Sequence, residues 1–464
     1  MKNKIITIIG AGLAGSECAL VLSKILKINN LNAYIRLVEM RPKVSTCVHH
    51  TDLPAELVCS NSFKGEKITS AAGMLKYELK SLGSPLYSIA LNNRVEAGGC
   101  LAVDRVKFSK SVKTSIERQN NIRYESYEVK SLKEELKTSD YLILCTGPLT
   151  QDALAQDISK LTGSEFMSFY DAAAPIISAD SIDKNNVFSQ NRYDDNSCGD
   201  YLNIPMDKNQ YLNFVENLVS AEVVIDKAFN KGDFFQACQP IEQIAKTGVN
   251  SLRFGALKPV GLKLPGTNTR PYAVVQLRCE NKYKTSYNMV GFQTNLKFQE
   301  QKRIFRKIPG LENAEFYRFG VMHRNTFINA PKILDKHFQV KKSNVSKFFV
   351  LESKKIYIAG QLSGTEGYVE AIRGGCHVAI NVAFDILSME APILPNRSVF
   401  GALVDYATCV DTIHYQPMHV NFGLLPPLDQ KIKNKKIRYE QYSKMGCLAI
   451  DKYARCVQKY LFNR

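Results

Sequence analysis

Short apolar runs alternate with stretches of helical periodicity near both ends of the chain. Apolar runs of strand length lie at residues 5–9, 33–38, 141–144 and 356–359. Apolar side chains recur at helical spacing over residues 16–26, 71–82, 106–117 and 371–387. Alternation of strands and helices is typical of α/β folds. The pattern therefore predicts an α/β domain to which both ends of the chain contribute.

The segment between residues 181 and 327 has a different pattern. Its strand-like runs, such as residues 272–277 and 287–292, are short and are separated by Gly, Pro and Asn. This change predicts an inserted α+β domain that makes the first domain discontinuous. The predicted division is 1–180 for the first part of a dinucleotide-binding (Rossmann-like) domain, 181–327 for the insert, 328–430 for its second part, and 431–464 for a basic helical tail.

A glycine-rich turn joins the first strand to the first helix. Gly10 makes the tight turn, Gly12 admits a pyrophosphate, and Gly15 lets helix and strand pack closely. Glu39, at the end of the second strand, favours an unphosphorylated ribose and hence FAD or NAD over NADP. A second glycine-rich segment at residues 360–367 favours FAD. The predicted cofactor-binding residues are Gly10, Ala11, Gly12, Leu13, Ala14, Gly15, Glu39, Gly360, Gln361, Gly364, Glu366 and Gly367.

The composition of the chain indicates which class of partner it could bind. Apolar residues make up 45% of the chain, and no apolar run reaches the ~18 residues that a bilayer span needs, so we predict a cytoplasmic protein without a membrane segment. The 61 Lys and Arg against 44 Asp and Glu give a formal charge of +17, which suits RNA or reflects a lysine-rich composition. Basic and aromatic residues that would suit phosphate contacts and base stacking, or merely form a solvated surface, are Lys258, Arg270, Tyr272, Arg278, Lys297, Phe298, Lys302, Arg303 and Arg306.

The twelve cysteines are scattered, without a C-x-x-C pair or a zinc-type Cys/His cluster, so neither disulfides nor a metal is predicted. Cys59 lies in the polar loop HHTDLPAELVCSNSFKG, and Cys238 follows two phenylalanines in GDFFQACQPIEQ. From the residues alone, Cys59 is a candidate nucleophile or base, or an incidental loop cysteine. Cys238 is either exposed at a strand end or turn beside an apolar wall, or a core cysteine. His323 and Arg324 belong to a polar triplet between apolar runs, where a lone histidine is more often structural than a ligand.

Many segments together resemble one family, the bacterial folate- and FAD-dependent RNA uracil-5-methyltransferases of the TrmFO type. The resemblance covers almost the whole chain. Its carriers are IIGAGLAGSE, LVEMRP, HHTD, AELVCSNS, AGGCLAVDR, TGPLT, FYDAAAPI, KPVGL, RPYAVVQLR, VGFQTNLKF, EQKRIFRKIPGLENAEFYRFGVMHRNTFIN, GQLSGTEGYVEA and NFGLLPP. Most of these are not general flavoprotein motifs, so the match is specific.

The resemblance implies an enzyme that takes a one-carbon unit from methylenetetrahydrofolate and reduces it with FADH2 derived from NAD(P)H. It implies methyl transfer to carbon 5 of the T-loop uridine of tRNA. The family's two functional cysteines match Cys238, which we predict as the nucleophile, and Cys59, which we predict as the general base, although the roles could be exchanged. We predict substrate contacts at His323, Arg324, Arg270 and Arg278.

Two departures from the family pattern leave alternatives open. FFQACQPIE differs from the usual glycine-cysteine-methionine-proline, and Ile372 and Arg373 replace the usual helix start, which predicts an added cation near the flavin. With the positive charge, these changes leave room for the same chemistry on a uridine of large-subunit (23S) ribosomal RNA. A related wobble-uridine flavoprotein with a GTPase partner and an FAD-bound RNA-binding protein without chemistry are further alternatives.

Overall fold

A computed structural model of the protein describes residues 3–46, 48–163, 167–194, 199–224, 239–345, 354–412 and 415–462. The strands are β1 Lys4–Ile9, β2 Ala33–Glu39, β3 Ser62–Gly65, β4 Arg94–Val95, β5 Cys100–Val103, β6 Ile122–Ser126, β7 Tyr141–Leu144, β8 Met167–Ala172, β9 Ile176–Ser178, β10 Phe188–Ser189, β11 Tyr201–Met206, β12 Ala273–Cys279, β13 Ser286–Met289, β14 Phe316–Arg318, β15 Met322–Phe327 and β16 Lys355–Ile358. The helices are α1 Leu13–Ile28, α2 Ala71–Ser81, α3 Pro85–Asn92, α4 Arg105–Glu117, α5 Leu132–Thr138, α6 Asp152–Thr162, α7 Lys208–Val219, α8 Ile241–Lys246, α9 Phe298–Phe305, α10 Ala330–Ile333, α11 Tyr368–Ile386, α12 Val399–Thr408 and α13 Lys435–Leu461.

The first domain is built on a parallel five-stranded sheet in the order β16-β7-β1-β2-β6. Its central strand is buried on both faces because helices cover the sheet: Ile6 and Ile8 are fully buried on one face, and Thr7 is fully buried on the other. Helices α1 and α11 approach so closely that a Cβ at Gly375 would lie 2.1 Å from the Ala14 carbonyl oxygen. The late strand β16 pairs with β7, so the predicted discontinuous α/β domain is confirmed.

The predicted elements are present with shifted ends. Helix α1 begins at Leu13 and not at residue 16, because the glycine turn leads directly into its first turn. Strand β12 continues to Cys279, two residues beyond the prediction, and all seven of its residues are buried. Strand β13 covers Ser286–Met289 and ends before the predicted residue 292.

The inserted domain has an antiparallel six-stranded sheet in the order β10-β11-β12-β13-β9-β14. Residues of this sheet and of helices α7, α8 and α9 form a second apolar core, separate from that of the first domain. An insert with antiparallel strands and helices is the predicted α+β type. Strand β9, at Ile176–Ser178, precedes residue 180 in the chain but pairs within this sheet. We therefore propose that the insert begins before β9, earlier than the predicted boundary.

Strand β5 connects the two cores. Leu101 and Val103 belong to the core of the parallel-sheet domain, whereas Ala102 between them belongs to the core of the insert. Successive side chains of a strand point to opposite faces, so β5 is buried on one side by each domain. The chain segments that flank the insert also pair, as the antiparallel ribbon of β8 and β15. These contacts hold the insert against the first domain.

The basic C-terminal segment contains one long helix, α13, which packs on α2. The Asp451 carboxylate on α13 accepts hydrogen bonds from the Tyr77 hydroxyl at 2.9 Å and the Ser81 hydroxyl at 3.1 Å, both on α2. A Cβ at Gly446 would lie 2.1 Å from the end of the Met74 side chain, so the two helices are in close contact. None of the described helices combines the length and the apolar composition required to cross a membrane.

Candidate functional site

A cleft of about 1050 Å³ lies at the carboxyl ends of the parallel strands. Open α/β sheets bind ligands at this edge. The turn at residues 145–151, after β7, forms part of its wall. Predicted cofactor-binding residues that line the cleft are Gly10, Gly12, Leu13, Ala14, Glu39, Gly360 and Gln361.

The three glycines of the first turn meet three different steric demands. Gly10 has φ +98°, and a Cβ there would lie 2.5 Å from the Cys145 carbonyl oxygen. A Cβ at Gly15 would lie 1.8 Å from the Gly10 carbonyl oxygen, so any side chain would separate α1 from β1. At Gly12, by contrast, a Cβ would meet no atom within 4 Å. The backbone at Gly12 therefore faces open space at the N-terminus of α1, where a phosphate group would be stabilised.

Glu39 anchors the other side of this turn. Its carboxylate accepts hydrogen bonds from the backbone N–H of Ala11 at 2.9 Å and from the Nε of Arg41 at 2.9 Å. Burial opposes ionisation, but the hydrogen bond and charge of Arg41 outweigh it and hold the pKa of Glu39 below its ordinary value. Arg41 also pairs with Glu56 at 3.1 Å. The cleft thus has an ionised carboxylate fixed at the end of β2.

The second glycine-rich segment forms the turn between β16 and α11. Gly360 has φ +75°, and a Cβ there would lie 2.8 Å from the Cβ of Ala14, so this turn packs directly on the first one. The Gln361 side-chain amide donates to the Glu366 carboxylate. The remaining predicted residues shape the turn without lining the cleft: Gly364 and Glu366 exchange backbone hydrogen bonds with Met418, and Gly367 is the N-cap of α11.

The loop that carries Cys59 forms another wall of the cleft. Its neighbours Val58 and Glu56 line the cleft together with Tyr368, the first residue of α11. The Tyr368 hydroxyl accepts hydrogen bonds from the backbone N–H of Cys59 at 2.8 Å and of Ser60 at 3.2 Å. Burial and the neighbouring thiol raise the pKa of Tyr368, which keeps this phenol neutral. The thiol of Cys59 donates to the Ala172 carbonyl oxygen at 3.8 Å.

Two arginines hold the Cys59 loop through hydrogen bonds. Arg105 donates to the Leu57 carbonyl at 2.7 Å and more weakly to the Cys59 carbonyl at 3.4 Å. Arg278, predicted as a substrate-binding residue, is only 7% exposed. It donates to the Asn61 side chain at 2.9 Å and to the Ser60 hydroxyl at 3.3 Å. We therefore propose that Arg278 positions the loop and does not contact substrate.

The other predicted site residues are distributed as follows. Arg270 is exposed and borders a separate depression on the insert, together with Asp207. The backbones of His323 and Arg324 lie in β15, opposite Asp171 and Tyr170 of β8, and their side chains are outside the described part of the structure.

Cys238 also lies outside the described residues. The described chain on either side of it is attached to one short stretch of the insert. The Val224 N–H donates to the Asn295 carbonyl at 2.8 Å, and the Ile241 N–H donates to the Gln293 carbonyl at 2.7 Å.

Four residues that the sequence analysis did not select contribute to the site: Arg41, Glu56, Arg105 and Tyr368. All four stand inside quoted motifs, LVEMRP, AELVCSNS, AGGCLAVDR and GQLSGTEGYVEA. The signal was their side-chain chemistry, because charged and hydroxyl groups are buried only with partners, so such residues within a motif indicate buried polar contacts.

The prediction of an added cation beside the cofactor is wrong. Arg373 is fully buried on α11 and does not line the cleft. Its Nε pairs with the Glu78 carboxylate of α2 at 3.3 Å, and its guanidinium lies 4.8 Å from the ring centre of Phe400.

Among the described residues, no group of three His, Cys, Asp or Glu side chains could hold a metal ion.

The parallel sheet, the two glycine turns and the carboxylate at the end of β2 define a dinucleotide-binding protein of the two-segment Rossmann-like class. The family model described as Glucose inhibited division protein A matches residues 5–390. Two structures of Aquifex aeolicus GidA, crystal forms II and I, share this fold with TM-scores of 0.66 and 0.65 at 15% and 16% identity. They cover 98% of this chain, which in turn covers 73% and 76% of theirs.

Closer relatives identify the particular family. The methylenetetrahydrofolate-tRNA-(uracil-5-)-methyltransferase TrmFO of Halalkalibacterium halodurans is 45% identical over 440 residues, which are 95% of this chain and 96% of that protein. The enzyme of the same name from Listeria innocua is 45% identical over 452 residues, covering 97% and 99% of the two chains. The chain therefore belongs to the TrmFO family, and the resemblance noted in the sequence is confirmed.

Proposed function

We propose that the protein methylates carbon 5 of the T-loop uridine in tRNA, with methylenetetrahydrofolate as the carbon donor, FAD as the bound cofactor and NAD(P)H as the reductant. One observation carries the proposal: the loop of Cys59 forms a wall of the dinucleotide cleft, with Val58 and Tyr368 lining it. A reactive thiol beside a redox cofactor is what this chemistry requires. The curated relatives are named for the folate donor and for uracil in tRNA.

The cleft has the features that FAD needs. The open space at Gly12 suits a pyrophosphate at the N-terminus of α1, and the buried carboxylate of Glu39 is at the strand end where a ribose hydroxyl is recognised. Gly360 and Gln361 would face the same group from the second turn. When bound and reduced, FAD supplies the electrons that convert the donated methylene into a methyl group.

The chain's own thiols would then handle the uracil. Carbon 5 of uracil is a weak nucleophile, so we assign Cys238 to add its thiolate to carbon 6, which makes carbon 5 electron-rich enough to attack the methylene carbon. The bond from that carbon to the nitrogen of its donor would break as the carbon is reduced to a methyl group. We assign Cys59 to remove the carbon 5 proton, after which the Cys238 thiolate leaves carbon 6. Arg105 and Tyr368 hold the backbone of Cys59 and so fix where its sulfur stands.

Gly12→Ala tests the cofactor site without disturbing the fold. Because a Cβ at Gly12 meets no protein atom within 4 Å, the variant should be as stable as the wild type. The methyl group would, however, occupy the approach of the pyrophosphate, so FAD affinity should fall at least about tenfold, equivalent to about 1.4 kcal/mol. Equilibrium flavin binding and thermal unfolding of the apoprotein measure the two effects. Gly15→Ala is the contrasting variant and should unfold the apoprotein at lower temperature.

Nucleoside analysis tests the function itself. Purified protein is incubated with methylenetetrahydrofolate, NAD(P)H and either an unmodified tRNA or a large-subunit ribosomal RNA fragment. We expect 5-methyluridine in the T loop of tRNA, with none when the folate is omitted. Product in ribosomal RNA alone would overturn the tRNA assignment, and flavin reduction without product in either RNA would overturn the methyltransferase proposal.

A further inference from the structure

A second cleft lies on the other side of the Cys59 loop. We call it the Arg318 cleft; it has a volume of about 980 Å³ and is lined by His50, Glu56, Leu57, Arg105, Tyr317 and Arg318 among others. Glu56 borders both this cleft and the dinucleotide cleft. The loop from Glu56 to Cys59 therefore separates the two clefts. An RNA strand that entered the Arg318 cleft would pass directly beside this loop.

Arg318 brings an uncompensated positive charge into this cleft. Within the described ranges no carboxylate lies at ion-pair distance from Arg318, whose one hydrogen bond there joins its guanidinium to the Val48 carbonyl at 3.0 Å. Its Nε is buried without a hydrogen-bond partner. Burial and the nearby charge of Arg105 lower the pKa of Arg318. A cation held in this way gains stability from an anionic ligand.

The carboxylates that face the cleft are already engaged. Glu280 pairs with Arg105 at 2.6 Å, and Asp104 accepts the Lys107 N–H as the N-cap of α4. Glu56 accepts the backbone N–H of His50 at 2.8 Å and pairs with Arg41. None of these three carboxylates lies at ion-pair distance from Arg318. The partial burial of His50 and the charge of Arg318 lower the pKa of this histidine, so it is a neutral group in the lining of the cleft.

One exposed aromatic ring lines the cleft, and a second lies close in the chain to a residue of its lining. Tyr317, next to Arg318 on β14, is 63% exposed. Tyr283 is 75% exposed, and the Lys107 ammonium lies 4.8 Å from the centre of its ring. Its backbone N–H is bonded to Asn281, which lines the cleft. Exposed tyrosines next to cations are the arrangement with which proteins hold unstacked nucleotides, through base stacking and phosphate contacts.

We propose that the Arg318 cleft binds the nucleotide next to the target uridine, with Arg318 contacting its phosphate and Tyr317 stacking on its base. The inference rests on the proposed function, because it supplies the RNA strand. It adds a subsite that lies outside the dinucleotide cleft and explains why a charged guanidinium is kept half-buried beside the Cys59 loop.

Binding of a T-loop stem-loop RNA, measured by fluorescence anisotropy over a range of salt concentrations, tests the subsite. Arg318→Met should weaken binding roughly tenfold and reduce the slope of log K against log salt by about 0.7 to 0.9, as expected for one lost phosphate contact. Tyr317→Ala should weaken binding roughly fivefold or more with an unchanged slope. The matched control is Lys113→Met, an exposed cation on α4 outside the cleft, which should bind as the wild type does.

Flavin content and thermal unfolding verify that each variant is folded, and the exposed Tyr317 keeps the test decisive even if Arg318→Met is unstable. Wild-type affinity and an unchanged salt slope for Arg318→Met would overturn the subsite. A raised KM for the folate donor with unchanged RNA binding would overturn it as well and assign the cleft to the folate. If the wild type itself does not bind the stem-loop, the proposed function fails together with the subsite.

Discussion

Cys59→Ala is expected to lower the rate of methyl transfer by roughly 10²- to 10⁴-fold, the range for loss of a positioned general base. The loop around Cys59 is held by backbone hydrogen bonds to Tyr368 and Arg105, and these do not involve the sulfur. Its geometry should therefore survive the substitution. FAD content and reduction by NAD(P)H should remain at wild-type levels, since Cys59 does not itself line the dinucleotide cleft.

Cys409→Ala is the control, because this thiol is exposed and belongs to neither of the motifs that contain Cys59 and Cys238. It should retain full activity. Methyl transfer by Cys59→Ala within a factor of two or three of the wild-type rate would remove Cys59 from the mechanism.

RNA that carries 5-fluorouridine separates the roles of the two cysteines. Fluorine replaces the carbon 5 proton that the base must remove, so the thioether to carbon 6 should accumulate on the nucleophile. With our assignment, Cys59→Ala still forms the adduct and Cys238→Ala does not. The reverse result exchanges the two roles.

Arg373→Met is expected to destabilise the protein by about 3–5 kcal/mol, the usual cost of removing one partner of a buried ion pair. Arg373 and Glu78 are both essentially fully buried, so the substitution leaves the Glu78 carboxylate buried without its cation. Urea unfolding of the apoprotein measures the loss. Arg373→Lys keeps the charge and should lose less, and the double variant Glu78→Leu with Arg373→Met should recover part of the stability.

The loss of stability caused by Arg373→Met should become larger as pH rises. Burial raises the pKa of Glu78 above 4.5 and the pKa of Glu17 to about 7, while the charge of Arg373 opposes both shifts. Without Arg373 both pKa values should rise further. A carboxyl group with a raised folded pKa contributes stability below its unfolded pKa and loses it as pH rises through the folded pKa. Equal losses for Arg373→Met at about pH 5 and about pH 8 would contradict this account of the cluster.

Local sequence determined the framework of this protein. The spacing of Gly10, Gly12 and Gly15 between an apolar strand and a helix predicted the turn. Side chains at Gly10 and Gly15 are excluded by atoms that lie only a few positions away in the chain or at the end of the neighbouring strand. Apolar runs predicted the buried parallel strands because strands that helices cover on both faces are rich in apolar residues. The buried Thr7 of β1 is hydrogen-bonded to the Ser139 hydroxyl at 2.7 Å. The position of Glu39 at a strand end followed from the same pattern.

Tertiary structure alone decided the surroundings of the individual side chains. Tyr368 lies 309 residues after Cys59 in the chain, and only the packing of α11 against the loop brings its hydroxyl to the Cys59 N–H. Arg278 and Arg373 look alike in the sequence as candidate cations for a ligand, yet one holds the Cys59 loop and the other pairs with Glu78. Periodicity specifies which face of an element is apolar, whereas the partner of a buried charge depends on which distant element covers that face.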